Sequence, residues 1–116
     1  MKKVMIKKQG TVLTSNAETA YTFISRFRGL MFRKAIADDF ALHIKPCNQI
    51  HMLNMRFAID VIYLDKKLNV VKIDENVQPG VICKTVKAAH SVLEMKSGAS
   101  TRLGIVQGDT LEIEER

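Results

Sequence analysis

The chain has 116 residues, of which 47% are hydrophobic and 26% charged, the make-up of one ordinary folded domain. That excludes a multidomain enzyme, a disordered tail, and a collagen-like or disulfide-dense scaffold. Eighteen Lys and Arg against twelve Asp and Glu give a net charge of +6, within the range of about 2 to 8 that simply keeps a small domain soluble. The surplus is lopsided: residues 1–58 carry ten basic and three acidic side chains, and residues 59–116 carry eight and nine.

In chain order, Val4 and Ile6 alternate with Lys3 and Lys7, as in a half-buried strand. Gly10 marks a turn, and Thr11 to Thr14 suits a partner strand. Ala17, Ala20, Tyr21, Ile24 and Phe27 then recur at helical spacing behind a Ser15-x-x-Glu18 capping pattern, which predicts a helix ending at Gly29. Phe40, Leu42 and Ile44 alternate as a strand that Pro46 stops. Ile59 to Leu64 reads as a strand buried on both faces, and a turn at Asp65–Asn69 leads into a hairpin partner through Val70, Val71 and Ile73. After Pro79-Gly80, strands are expected at Val81–Val86 and Ala89–Met95, the latter also compatible with a helix. A short helical turn at Ala99–Leu103 and a last strand around Leu111 and Ile113 complete the chain. The predicted fold is a single, mainly β domain over residues 1–116, a small barrel or sandwich with one or two short helices on its side.

No segment approaches the roughly 20 apolar residues of a membrane span. The opening Met1–Lys8 is basic, but Lys7 and Lys8 interrupt any signal-peptide core. Cys47 and Cys83 are too few for a disulfide framework, so reduced thiols and a cytoplasmic setting are expected.

Two segments go beyond generic patterning: Arg28-Gly29-Leu30-Met31-Phe32-Arg33, and the run from Cys47-Asn48-Gln49-Ile50-His51 through Met55-Arg56 to Ile59-Asp60 and Leu64-Asp65. With Val92-Leu93-Glu94-Met95 and Gly98, and Leu103-Gly104-Ile105 with Gly108-Asp109, they resemble, in order and spacing, the bacterial and archaeal family called domain of unknown function 192. Met52, Leu53 and Ala58 stand where that family usually has Thr, an aromatic and Pro. The resemblance implies a mainly β domain without an assigned activity.

Arg28 and Arg33 flank apolar Leu30, Met31 and Phe32, which should anchor the turn in the core. Their guanidinium forks could grip a carboxylate or phosphate, or they could pair internally with Asp60 or Asp38. Asp60 interrupts the most apolar strand, where a carboxylate must be paired or open to a cleft. Arg56 stands four residues before it. His43, Cys47 and His51 are spaced by four, but Pro46 speaks against the helix that would make them a metal face, and two soft ligands fall short of the four of structural zinc. No metal or other cofactor is expected. Cys47, His51 and Asp60 are the only candidates for catalysis, as a nucleophile, a base and its orienting acid. Met31, Met52, Met55 and Met95 could fill the core or line an adaptable pocket. Arg26, Phe27, Arg28, Phe32, Arg33, Arg56 and Phe57 interleave basic and aromatic residues, as single-stranded nucleic-acid surfaces do, although most of these Phe should face inward.

The leading expectation is a non-catalytic binding or accessory domain. Its basic groove, formed by Arg28, Arg33, His51, Met55, Arg56 and Asp60, would receive an acidic small molecule or an acidic protein segment. A Cys/His/Asp enzyme and a nucleic-acid-binding protein are the alternatives.

Overall fold

The structure is a computed structural model that describes residues 2–116. Val4 and Ile6 are buried from β1 (Lys3–Lys8), as their alternation predicts. Gln9 and Gly10 both take positive φ, 51° and 77°, the conformation a two-residue hairpin turn needs. The chain returns as β2 (Thr11–Ala20).

Here the predicted helix fails over its first half. Ala17 and Ala20 are strand residues, and Ser15 and Glu18 cap nothing. The β1–β2 pairing carries register shifts between Val4 and Ile6 and between Ile6 and Lys7. Buried positions 14, 17, 19 and 20 therefore lose strict alternation and imitate a helical period. The helix proper, α1 (Phe23–Arg28), is capped one turn later. Thr22 Oγ1 accepts from Ser25 N at 3.1 Å, and Ser25 Oγ accepts from Thr22 N at 3.0 Å. It ends where expected, at Gly29 with φ 45°.

β3 (Ala41–Ile44) and β4 (Ile59–Leu64) follow, every residue of both buried. β5 (Val70–Val77) is the expected hairpin partner of β4. Val81–Val86 is no strand: the segment makes a single bridge, Ile82 to His51, and leaves Val81 and Ile82 exposed. It serves as a cover: Cys83 sinks into the core and Val86 packs partly buried against it. β6 (Ser91–Lys96) settles the helix-or-strand ambiguity of 89–95, because hydrogen bonding to both β3 and β4 holds it extended. α2 (Ala99–Arg102) and β7 (Glu112–Glu115) lie where predicted.

The seven strands form one sheet in the order β5-β4-β6-β3-β2-β1-β7, antiparallel except for β2 and β3. The mainly β class with two short helices is as expected, but the sheet does not close into a barrel. β5 and β7 are its edges, joined only near one corner, where Asn69 and Thr110 form an isolated bridge. Two apolar clusters cover the two faces. Leu42, Ile44, Val61, Tyr63 and Val92 meet Leu30, Ile50 and Met52 from the connecting segments on one face. On the other, Ala41, Ile62, Leu64, Leu93 and Met95 meet Ala99 of α2. Among the described residues no helix is long and apolar enough to cross a membrane.

Candidate functional site

A cleft of about 220 Å3 opens on the first face, where three segments that carry the family-like residues converge. Its floor is Ile44 of β3 and Glu94 of β6. One wall is α1, through Phe23, Arg26 and Phe27, followed by Arg28 to Met31; the other is Pro46-Cys47, Gln49 to His51 and Met55.

Strand alternation puts Glu94 there. Val92 and Glu94 share a face, and Glu94 stands opposite Leu42 on one neighbouring strand and Val61 on the other. Its carboxyl thus enters the middle of an apolar sheet, with the residue only 5% exposed. Burial pushes the carboxyl up to about 7, and no hydrogen bond pulls it back. Gly29 brings the end of α1 close: a Cβ at that position would stand 3.8 Å from Glu94 Oε1.

Arg26 lies across the rim. Its Nη1 donates to Pro46 O at 3.3 Å, and its Nε is buried without a partner. Arg28 lines both the cleft and an adjoining hollow of about 350 Å3, which Arg33 also lines. The Arg33 guanidinium stands 5.2 Å over the Phe40 ring. Among the described residues, none of these three arginines forms an ion pair.

Of the residues expected at the groove, Arg28, His51 and Met55 line the cleft and Arg33 the hollow beside it. Arg56 is exposed and lines neither. Asp60 belongs to the opposite face and pairs with no arginine. Its Oδ1 accepts from Asn76 N at 2.9 Å, and its Oδ2 accepts from Gly98 N, Ser100 N and Ser100 Oγ at 3.2, 3.0 and 2.7 Å. Burial pushes this carboxyl up, but the four hydrogen bonds outweigh burial and hold it below the usual carboxylate range. Asp60 is the clamp that fixes Gly98, at φ 93°, and the start of α2.

Cys47 and His51 share the cleft, but Asp60 is not brought to them. Burial pushes the Cys47 thiol above its ordinary range, and Glu94 adds to the rise. A thiol held protonated is a poor nucleophile. His43 faces away from Cys47, on the other side of the sheet. Among the described residues no group of three or more His, Cys, Asp or Glu is placed to hold a metal.

The aromatic residues depart from expectation. Phe23 is 75% exposed, Phe27 63% and Phe32 61%, while Phe40 is buried. Phe32 takes φ 67°, so the turn is anchored by Leu30 alone. The methionines divide: Met52 and Met95 are core, and Met31 and Met55 line the cleft. Sequence reasoning missed Glu94 and Arg26 as site residues. The signal for Glu94 was available, since a charge inside Val92-Leu93-Glu94-Met95 is the same anomaly that singled out Asp60.

The model of the family described as "Uncharacterized ACR", domain of unknown function 192, matches residues 4–113. A UPF0127 protein of Thermococcus sibiricus is 33% identical over 117 residues, covering 94% of this chain and 74% of that one. A UPF0127 protein of Pyrococcus furiosus is 32% identical over 107 residues, covering 90% and 91%. The crystal structure of a protein of unknown function from Novosphingobium aromaticivorans is similar at a TM-score of 0.80 and 26% identity, over 95% of this chain and 83% of that one. A structure from Sinorhizobium meliloti, provisionally labelled a transcription regulator, reaches 0.78 at 24% identity over 96% and 92%, and shares the fold alone.

Proposed function

The chain belongs to this family of uncharacterized proteins, and from that premise we propose that it is a non-catalytic binding module for a small amphipathic acid. The ligand's apolar body lies between α1 and the sheet, its acidic group meets Arg26 and Arg28 at the rim, and a hydrogen-bond donor on it meets Glu94 at the floor. One observation carries this reading: Glu94 is a buried carboxyl that no donor among the described residues reaches, at the apolar floor of a cleft whose rim carries arginines. Burying such a group unpartnered costs several kcal/mol on the order of, and a ligand that supplies the donor offsets that cost. The exposed faces of Phe23 and Phe27 offer apolar surface for the ligand to cover. Cys47 and Cys83 are free thiols, which suits a reducing cytoplasm.

Amide NMR titrations with 6-aminohexanoate, hexanoate and hexylamine test the reading. We expect 6-aminohexanoate to bind most tightly and to shift the amides of Gly29, Leu30, Cys47 and Ile50. Glu94→Gln should erase its advantage over hexanoate, and Arg28→Ala its advantage over hexylamine. If none of the three moves these amides at millimolar concentration, the cleft is not such a site.

A further inference from the structure

The opposite face of the sheet holds a second cavity, of about 380 Å3, and we propose that it binds a small oxyanion, a carboxylate or a phosphate. The anion is held by the imidazole N–H of His43 and the hydroxyl of Ser91, with Lys45 and Lys66 supplying opposite charge.

The cavity is independent of the cleft. His43 is paired with Leu93 and Ser91 with Leu64, so both side chains share the face of the second cluster, away from Ile44 and Glu94. His43 is 2% exposed and Ser91 1%. Each carries a buried polar atom without a hydrogen bond, Nε2 of His43 and Oγ of Ser91. Folded proteins leave few such atoms, and each needs an explanation. Two of them, from the adjacent strands β3 and β6, line one cavity.

The hydrogen-bond chemistry sets the charge of the ligand. Tyr21 Oη and His43 Nδ1 are 2.6 Å apart. A phenol is a far stronger acid than the N–H of a neutral imidazole, so Tyr21 donates and Nδ1 accepts. The single proton of the neutral ring then sits on Nε2, which becomes a donor. Burial, with Lys45 and His90 nearby, pushes His43 down to about 4, so the ring is neutral at ordinary pH. Lys45 Nζ stands 4.4 Å from the centroid of the Tyr21 ring, at the cavity wall. The acid that lines the cavity, Asp65, is committed to its own turn. It accepts from the backbone N–H groups of Lys67 and Asn69 and from the Asn69 side chain. Donors and ammonium groups therefore dominate, and a cation or a pure donor finds no complement here.

Long-range 1H–15N spectra of the histidine rings test this, with inorganic phosphate or acetate titrated at constant ionic strength against sodium chloride. We expect a saturable shift of His43 Nε2, and the anion that saturates first identifies the chemistry, phosphate or carboxylate. Lys45→Ala and Ser91→Ala should each weaken binding about fivefold or more, the effect of one lost hydrogen bond or charge. Ser91→Ala should also raise the melting temperature of the free protein, since it deletes an unsatisfied hydroxyl. The proposal is overturned if neither anion gives a saturable shift, if chloride reproduces it, or if Lys45→Ala binds like the wild type. The cavity then holds water only.

Discussion

Asp60 and Glu94 are two carboxyls in neighbouring strands, pointing to opposite faces, and their partners decide their chemistry. Asp60 has four donors and stays ionised, whereas Glu94 has none and is pushed up to about 7. For Glu94 the unfolded value is near 4.5. Between there and about 7 the folded protein binds more protons than the unfolded chain, so this group's contribution to stability falls as pH rises through that window. The full penalty is about 3 kcal/mol. Asp60 acts the other way and lower down: its contribution is present above its unfolded value and is lost as acid protonates it in the folded state. Glu94→Gln is therefore expected to be more stable than the wild type at pH 8 and to lose most of the difference between pH 8 and pH 5. Urea midpoints at the two pH values check this; an unchanged pH slope in the variant would place its origin elsewhere. Both are charges in apolar strands, but only Asp60 was singled out from the sequence. Asp60 was matched with an arginine because arginines are visible in a sequence. Its actual donors are mostly backbone N–H groups, brought in by a turn some forty residues away, and these leave no mark at the residue level.

At the level of elements, α1 is unusual in burying none of its residues. Six residues are too few to sustain a helix unaided, so its local order depends on the Thr22–Ser25 capping box. Losing the cap costs the helix about 1 kcal/mol, yet little of the core rests on it. Thr22→Ala should therefore leave the melting temperature nearly unchanged while the amides of Arg26 and Gly29, which donate to Thr22 O and Ser25 O, lose protection in hydrogen exchange. A large fall in melting temperature would show that α1 is coupled to the sheet after all. The strands that were legible, β1, β3, β4, β5 and β7, carry an alternation or a short run of apolar residues bounded by turn residues or Pro46. β2 was not, because its bulged register breaks the period of two and its inner neighbour is a parallel strand twenty residues on. The cleft was half legible for the same reason. Arg28, His51 and Met55 sit in recognisable elements, but the floor is set by the register of β6 on β3 and β4.

Across the whole molecule, the charge imbalance between the two halves is partly offset by topology. β1 pairs with β7, so lysines from the basic half meet acids from the other: Lys2 with Glu115 at 2.9 Å, Lys7 with Glu114 at 2.8 Å, and Lys8 with Asp109 at 2.8 Å. The exposed pair Lys2–Glu115 contributes little to stability. Among the described basic residues of the first half that form no ion pair are Arg26, Arg28 and Arg33, in and after α1. The β1–β7 pairing has a further consequence for synthesis. A ribosome delivers β1 and β2 long before β7, so the outer edge of β1 spends that interval as an open template of unpaired N–H and C=O groups around Val4 and Ile6. Lys3, Lys7 and Lys8 line that edge and act as gatekeepers while the nascent chain waits for its final strand. A chain ending at residue 110 should scatter light at concentrations where the full chain stays clear, and Lys7→Ser with Lys8→Ser should hasten its aggregation. Equal scattering by the shortened and full chains would show that the edge is harmless. The lysines that tie β1 to β7 in the finished protein thus first keep other chains from taking β7's place.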